Sequence, residues 1–235
     1  MKKYCIICAH PDDETLFFSS ILNSFSRDTT VHCLTDGNAD GRGAQRKKEF
    51  EKAMEFFGVE NFIWSALPDI YDTPLDQLKI KEAITPTIKT VATAQEAAIF
   101  THGPFGDYGH PHHIQVARAV HNLIKERNLN FPIYTPNALA LAEGHASFDR
   151  SPQETWRKKL HALENIYFEE YRRFVSLIPA KATETFIRSD NTTNKILEFF
   201  CDTNEEKELK GDLGPLDPFR KSLEIFKENG LLRKF

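Results

Sequence analysis

No apolar run in this chain approaches the roughly 20 residues that a membrane-spanning helix needs, so no spanning segment is expected. No G-x-G-x-x-G and no G-x-x-x-x-G-K-[ST] is present, which disfavours a classical dinucleotide site and a P-loop. Charge of one sign is also in short supply. A net charge of -4 argues against nucleic acid or an anionic membrane surface as the main partner. There is no internal repeat, no low-complexity tract and no compositional shift that would mark a domain boundary. Cysteine is scarce, limited to Cys5, Cys8, Cys33 and Cys201. Cys5-x-x-Cys8 has zinc or redox spacing, but no second C-x-x-C completes a knuckle. Inside a strand, positions three apart face opposite sides, so two buried structural thiols are expected. Unpaired thiols fit a reducing compartment, and a cytoplasmic location is expected. Met1-Lys2-Lys3 before a short apolar run mimics a signal peptide, yet the acids Asp12-Asp13-Glu14 directly behind it are wrong for one.

What remains is a chain of 235 residues, 40% hydrophobic, long enough to bury one full core. Its first half alternates strand and helix signals. Strands are expected at Tyr4–Ala9, Val31–Thr35, Phe62–Trp64, Ala97–Thr101 and Phe131–Tyr134, where Pro132 indicates an edge or a strand start. Helices are expected at Asp13–Phe25, Ala44–Phe57 (closed by Gly58), Leu75–Val91 (kinked or split by Pro86), and from Pro111 to about Lys125. This alternation implies a doubly wound, mostly parallel α/β sheet with right-handed crossovers and helices on both faces. The second half is less regular: a helix over Glu154–Arg173, a late strand over Arg172–Leu177, a helix over Thr183–Phe200, a polar stretch Lys207–Pro218 and a last helix Pro218–Asn229. A single domain over 1–235 is expected, with a motif-bearing core at 1–130 and a helical, irregular part at 131–235 that shapes substrate choice.

In such sheets the site lies beyond the carboxyl ends of the strands. His10-Pro11-Asp12-Asp13 follows the first strand, Asp36-Gly37-Asn38 the second, and His102 to His113 the fourth. An imidazole and three acids packed behind a buried strand need a compensator, and a divalent metal is the usual one. A catalytic zinc typically takes three protein ligands and keeps a position for water. His10 and Asp13, three apart across a tight turn, can converge on one point, and His113 can supply a third ligand. Pro111 suits the first turn of a helix. Asp12 is then left beside the metal, where a carboxylate can take the proton of a water ligand whose pKa has fallen to about 7. His110, if protonated, would stabilise an oxyanion. Each piece taken singly has a plainer reading. His10 could be a satisfied strand-end histidine, Asp12 or Asp13 a helix N-cap, and the three histidines a solvated loop. Weaker candidates are His102, Phe105 and Glu143-Gly144-His145, while His32, His121 and His161 read as core or surface.

Ala9-His10-Pro11-Asp12-Asp13-Glu14 paired with Gly109-His110-Pro111-His112-His113 resembles the PIG-L/LmbE-like N-deacetylase family. The likeness extends through Leu34-Thr35-Asp36-Gly37-Asn38, Gly41 and Arg46-Lys47-Lys48-Glu49 to Gly58, and covers roughly the first 125 residues. It implies a Rossmann-like fold and zinc-dependent removal of an acetyl group from an N-acetylated sugar or sugar conjugate. Ferrous iron is the alternative metal, since imidazole and carboxylate suit both. By position, His10, Asp13 and His113 match the metal ligands, Asp12 the general base and His110 the residue that stabilises the tetrahedral intermediate. Arg46 matches a substrate-holding arginine, whose plainer reading is a solvated helix arginine. Asn38 and Tyr108 are further substrate-side candidates. Two positions depart from the pattern. His112 stands where the family often has Asp, a residue thought to tune the neighbouring catalytic histidine. Asn38 stands where thiol-pathway members tend to carry an acid. The partners expected are a small N-acetylated sugar or conjugate and, in a homo-oligomer, further copies of the chain, with no nucleic acid. The competing readings are the same machinery acting on a non-sugar amide, and a sugar- or nucleotide-binding module with a dead metal site.

Overall fold

The computed structural model describes residues 2–70, 73–136, 153–174, 184 and 186–189. Its strands are β1 (Lys2–Cys8), β2 (Thr29–Thr35), β3 (Asn61–Leu67), β4 (Glu96–Thr101), β5 (Ile133–Pro136) and β6 (Phe186–Arg188). They form one sheet in the order β3-β2-β1-β4-β5-β6. The first five are parallel, and β6 runs antiparallel to β5. The helices are α1 (Asp13–Phe25), α2 (Gly43–Phe57), α3 (Gln77–Ala92), α4 (Gly106–Gly109), α5 (Pro111–Glu126), α6 (Gln153–Asn165) and α7 (Phe168–Phe174).

The period-2 geometry of a strand sends alternate side chains to opposite faces, and this chain fills both. Ile6 and Cys8 of β1, with Val31, Cys33 and Phe100, join the core under α1, α2 and α6. Cys5, Ile7 and Ala9, with Leu34 and Ile99, join the core under α3 and α5. Cys5 and Cys8 are therefore buried, free thiols in separate cores, as their spacing inside a strand requires. β1 lies between β2 and β4, so the strand order reverses at β1 and β4. The loops leaving these two strands face each other across that switch point, the place where open α/β sheets bind ligands.

Four expectations need correction. The helix containing Pro86 runs through it unbroken from Gln77 to Ala92. The expected helix Glu154–Arg173 is two helices, because the chain turns at Ile166 and Tyr167, whose N–H groups both bond to the Ala162 carbonyl. That turn brings the Tyr167 side chain fully inside. Arg172–Phe174 belongs to α7 and not to a strand, and Leu177 lies outside the described residues. Phe186–Arg188 is strand β6, where a helix was expected, because it pairs with β5 and stacks Phe186 on Phe18. Pro132 sits directly before β5, which pairs on both sides, so it marks a strand start. The stretches 189–200 beyond Ser189, Lys207–Pro218 and Pro218–Asn229 lie outside the described residues.

Candidate active site

β1 ends at Cys8, and the chain reaches α1 through Ala9-His10-Pro11-Asp12. Asp12 adopts φ 98°, a conformation that costs a non-glycine residue about 1–3 kcal/mol. Its backbone carbonyl takes the first helical bonds, from the N–H groups of Thr15 (2.9 Å) and Leu16 (2.8 Å). Its side chain makes no capping bond. The capping explanation for Asp12 therefore fails. The neighbouring Asp13 is held by the His10 backbone N–H, which donates to Oδ2 at 2.7 Å.

The loop after β4 supplies the other half. His110 is the N-cap of α5, with Nδ1 accepting from the His112 N–H at 3.2 Å, and Pro111 occupies the first turn. His112 and His113 are buried, so the solvated-loop reading fails as well. His113 Nε2 lies 3.3 Å from Asp13 Oδ1 and 3.3 Å from His10 Nδ1, and His10 Nδ1 lies 3.3 Å from Asp13 Oδ2. A tetrahedral zinc with bonds of about 2.0–2.1 Å places its ligand atoms about 3.3–3.4 Å apart. Each of these three contacts has that spacing, with Asp13 meeting the two rings through different carboxylate oxygens.

Hydrogen bonds around this cluster fix which nitrogen carries each proton. His113 Nδ1 donates to Asp107 Oδ2 at 2.8 Å, which leaves a lone pair on Nε2. His112 Nε2 donates to the Thr73 carbonyl at 2.8 Å, so its Nδ1 is an acceptor. His10 Nε2, 3.1 Å from that acceptor, must be the donor, which leaves the His10 lone pair on Nδ1. Two lone pairs and a carboxylate thus converge with no proton among them. Without a cation this arrangement is repulsive; with one it is a ligand set. Burial holds the His10 ring at about 4 against the pull of Asp13, consistent with a neutral ligand.

Asp12 and Asp13 are driven apart. Burial pushes the Asp12 carboxyl well above the usual range, with Arg46 opposing and Asp13 adding to the rise. Burial also disfavours ionised Asp13, but the His113 and His102 rings outweigh it and hold Asp13 well below that range. Asp12 Oδ2 is buried and accepts no hydrogen bond among the described residues; the nearest cation is Arg46 Nη2 at 3.5 Å. Such a carboxylate is suited to receive a proton. Glu14, fully buried, accepts from the Asp12 N–H (3.1 Å), the Thr15 hydroxyl (2.7 Å) and the Tyr167 hydroxyl (2.9 Å). Burial raises Glu14 to about 7, against the pull of those two hydroxyls.

Around His110, burial and the His10, His113 and His112 rings push its pKa far below the usual value. Its Nδ1 serves as an acceptor, so the proton of the neutral ring sits on Nε2. The oxyanion role expected from the sequence was conditional on a protonated His110; in the geometry the neutral ring supplies an N–H donor from Nε2. His110 offers one ring nitrogen within 4.8 Å of nitrogens of His10 and His113.

The substrate-side candidates divide. Arg46 is buried, donates from Nη2 to the Pro11 carbonyl at 2.6 Å and approaches Glu170 of α7 at 3.4 Å. It braces the Asp12 turn and is not a solvated helix arginine. Asn38 is exposed, and its Oδ1 accepts from the Gly43 N–H at 2.9 Å within its own loop. Tyr108 falls in α4, with its side chain outside the described set, as are Glu143-Gly144-His145. His102 is fully buried beneath the site. Its Nδ1 lies 2.5 Å from Asp107 Oδ2, and its Nε2 receives the Ala9 N–H at 2.9 Å. Burial disfavours a charged His102, yet the Asp107 and Asp13 carboxylates raise it to about 9, which would require a proton on Nε2. The Ala9 hydrogen bond decides for a lone pair there. Phe105 is buried, His32 and His121 are core, and His161 is at the surface.

Sequence reasoning gave Asp107 no role and missed Asp69 and Thr73. Asp107 was legible in principle, six residues before His113 and five after His102. Asp69 and Thr73 lie in the loop after β3, at the same sheet edge, where the rule about strand ends would have directed attention.

A deacetylase of the teicoplanin biosynthesis pathway superposes with a TM-score of 0.55 at 15% identity, over 81% of this chain and 100% of that one. The A40926 pseudoaglycone deacetylase Dbv21 gives 0.56 at 18% identity, over 76% and 88%. These likenesses show the fold. In sequence, a probable N-acetylglucosaminyl-phosphatidylinositol de-N-acetylase of Dictyostelium discoideum is 28% identical over 139 residues, 54% of this chain and 51% of that protein. The fission yeast (Schizosaccharomyces pombe) protein of the same description is 30% identical over 134 residues, 53% of each. A 1D-myo-inositol 2-acetamido-2-deoxy-alpha-D-glucopyranoside deacetylase of Corynebacterium diphtheriae is 26% identical over 192 residues, 67% of this chain and 64% of that protein. The chain thus spans about half the length of the first two relatives. The family model described as GlcNAc-PI de-N-acetylase matches residues 5–124, a stretch that holds every site residue described above except Tyr167 and Glu170, and by that match the chain belongs to the PIG-L family.

Proposed function

We propose that this chain is a metal-dependent N-deacetylase that hydrolyses the acetamide of a small N-acetylated amino sugar or sugar conjugate. The observation that carries the reading is the convergence of His10 Nδ1, His113 Nε2 and the Asp13 carboxylate at 3.3 Å separations, with no proton among them. His10, Asp13 and His113 would hold zinc, or ferrous iron, which the same donor types suit. When bound, such a cation polarises the amide carbonyl and lowers the pKa of a water ligand to about 7.

The chain's own residues do the rest. Asp12 Oδ2 takes a proton from the attacking water as the new C–O bond forms. His110 donates its Nε2–H to the carbonyl oxygen as negative charge collects there. Asp12 then returns its proton to the departing nitrogen as the C–N bond breaks. One water is consumed, and a free amine and acetate leave. Arg46, bonded to the Pro11 carbonyl, keeps the Asp12 turn in place, and Arg46, Asn38 and Tyr108 are assigned to the substrate side. The relatives named for GlcNAc-containing substrates support the sugar. We assign residues 131–235 to substrate choice. The free, buried Cys5, Cys8 and Cys33 support a reducing compartment, which we read as the cytoplasm. Among the described residues no helix is long and apolar enough to cross a membrane.

The test is acetate release from a panel of N-acetylated sugars, sugar conjugates and non-sugar acetamides. Release from sugars above the non-sugar acetamides is expected. Release only from non-sugar acetamides would replace the substrate class, and no release from any of them with metal bound would reject the deacetylase.

A further inference from the structure

His112 takes no part in the reaction just described. It lies between the Thr73 carbonyl, 2.8 Å from Nε2, and His10, whose Nε2 is 3.1 Å from its Nδ1. The ring is buried, so solvent does not compete for either bond. A carbonyl can only accept, so His112 Nε2 must be protonated, and in the neutral ring Nδ1 is then an acceptor. Among the described residues, His10 Nε2–H is placed to fill it. The other nearby group, Asp69 Oδ1, is 3.6 Å from His112 Nδ1, beyond hydrogen-bond range. An imidazole that donates from Nε2 presents its lone pair from Nδ1, the atom that faces Asp13 and His113.

We infer that His112 is a positioning residue for the metal site: it passes the fixed polarity of the Thr73 carbonyl through its own ring to His10, and so locks His10 in its ligating tautomer. This deepens the deacetylase reading and rests on its metal site, though not on its substrate. The loop after β3, which carries Thr73 and Asp69, thereby becomes part of the metal centre without donating a ligand. Partners of this kind typically contribute 10- to 100-fold to metal affinity.

The experiment is zinc affinity and stoichiometry by competition with a chromophoric chelator, on wild type, His112→Leu, His112→Asn and His112→Gln, with folding checked by circular dichroism. Asn places an acceptor near the Nδ1 position, whereas Gln reaches toward the Nε2 position. Wild type is expected to bind one zinc. His112→Leu and His112→Gln should weaken it about 10- to 100-fold, and His112→Asn should recover most of the loss. Equal affinity in Leu and wild type, or no advantage of Asn over Gln, would overturn the inference. If Leu does not fold, the Asn–Gln contrast decides. A second zinc in wild type that His112→Leu removes, with the first unchanged, would also overturn it, since His112, His10 and Asp69 would then be ligands themselves. A wild type that binds no zinc would overturn the inference and the proposed function together. The expected zinc pattern without acetate release would reject only the function.

Discussion

Asp12 and Asp13 are adjacent carboxylates with different surroundings, and the different duties proposed for them come from those surroundings. Asp13 receives a backbone N–H at 2.7 Å and lies against the His113 and His102 rings, so it is held ionised, as the proposed ligand role requires. Asp12 sits on a strained turn with an Oδ2 that accepts no hydrogen bond among the described residues, 3.5 Å from Arg46 Nη2. Asp12→Asn should therefore keep the metal and lower turnover about 10²- to 10⁴-fold, as removal of a general base does. Metal analysis alongside acetate release checks this, and loss of metal would mean that the two aspartates have exchanged roles. Gly37 illustrates how little room surrounds this turn. It sits at φ +60°, and an added Cβ would lie 3.0 Å from Pro11 Cδ and 3.2 Å from Arg46 Nη1. Gly37→Ala should cost about 1–3 kcal/mol of stability and displace the catalytic turn, lowering turnover as well as the thermal midpoint. A variant as stable and active as wild type would show that the turn is not confined as described.

At the level of elements, His32 ties three of them together. On β2, its Nδ1 meets the Thr87 hydroxyl of α3 at 2.9 Å and its Nε2 meets the Ser65 hydroxyl of β3 at 2.6 Å. Burial lowers its pKa to about 4. An unfolded His binds protons near 6.5, so between these values the unfolded chain holds more protons than the folded one. Stability from this residue is thus complete above about 6.5 and is lost as pH falls toward 4, by roughly 3 kcal/mol for a shift of this size. Urea titrations across that window should show a flatter acid limb for His32→Gln than for wild type; parallel limbs would remove His32 as the cause. The sequence disclosed the elements whose causes are local. Short continuous apolar runs gave β1, β2 and β4, Gly58 in the left-handed conformation closed α2, and Pro111 opened α5. It did not disclose β6, because three residues carry no readable period and only pairing with β5 makes them a strand. Nor did it show the break at Tyr167, where the helical pattern continues and a distant carboxylate decides. Within the site, the clustering of His10, Asp12, Asp13 and His113 was legible because they crowd two short motifs. The network that orients them was not, because ring rotation and the Thr73 and Asp107 contacts are set by tertiary packing.

For the molecule as a whole, the reversal of strand order between β1 and β4 brings two motifs a hundred residues apart into one cluster. The C-terminal helices complete it: Tyr167 reaches Glu14, and Glu170 joins Arg42 at 2.5 Å and Arg46 at 3.4 Å. Tyr167→Phe removes a donor from a buried carboxylate and should destabilise the fold by about 1–3 kcal/mol while sparing the bound metal. Denaturant midpoints and metal content test this, and an unchanged midpoint would mean that the α6–α7 turn is not coupled to the site. The central claim is that His10, Asp13 and His113 hold one divalent cation between β1 and β4. It is tested most directly by counting metal per chain, by plasma mass spectrometry, in protein prepared without chelator and in its His113→Ala variant. The account predicts about one equivalent of zinc or iron in the first and a small fraction of that in the second. No metal in the first after reconstitution, or equal metal in both, would contradict it.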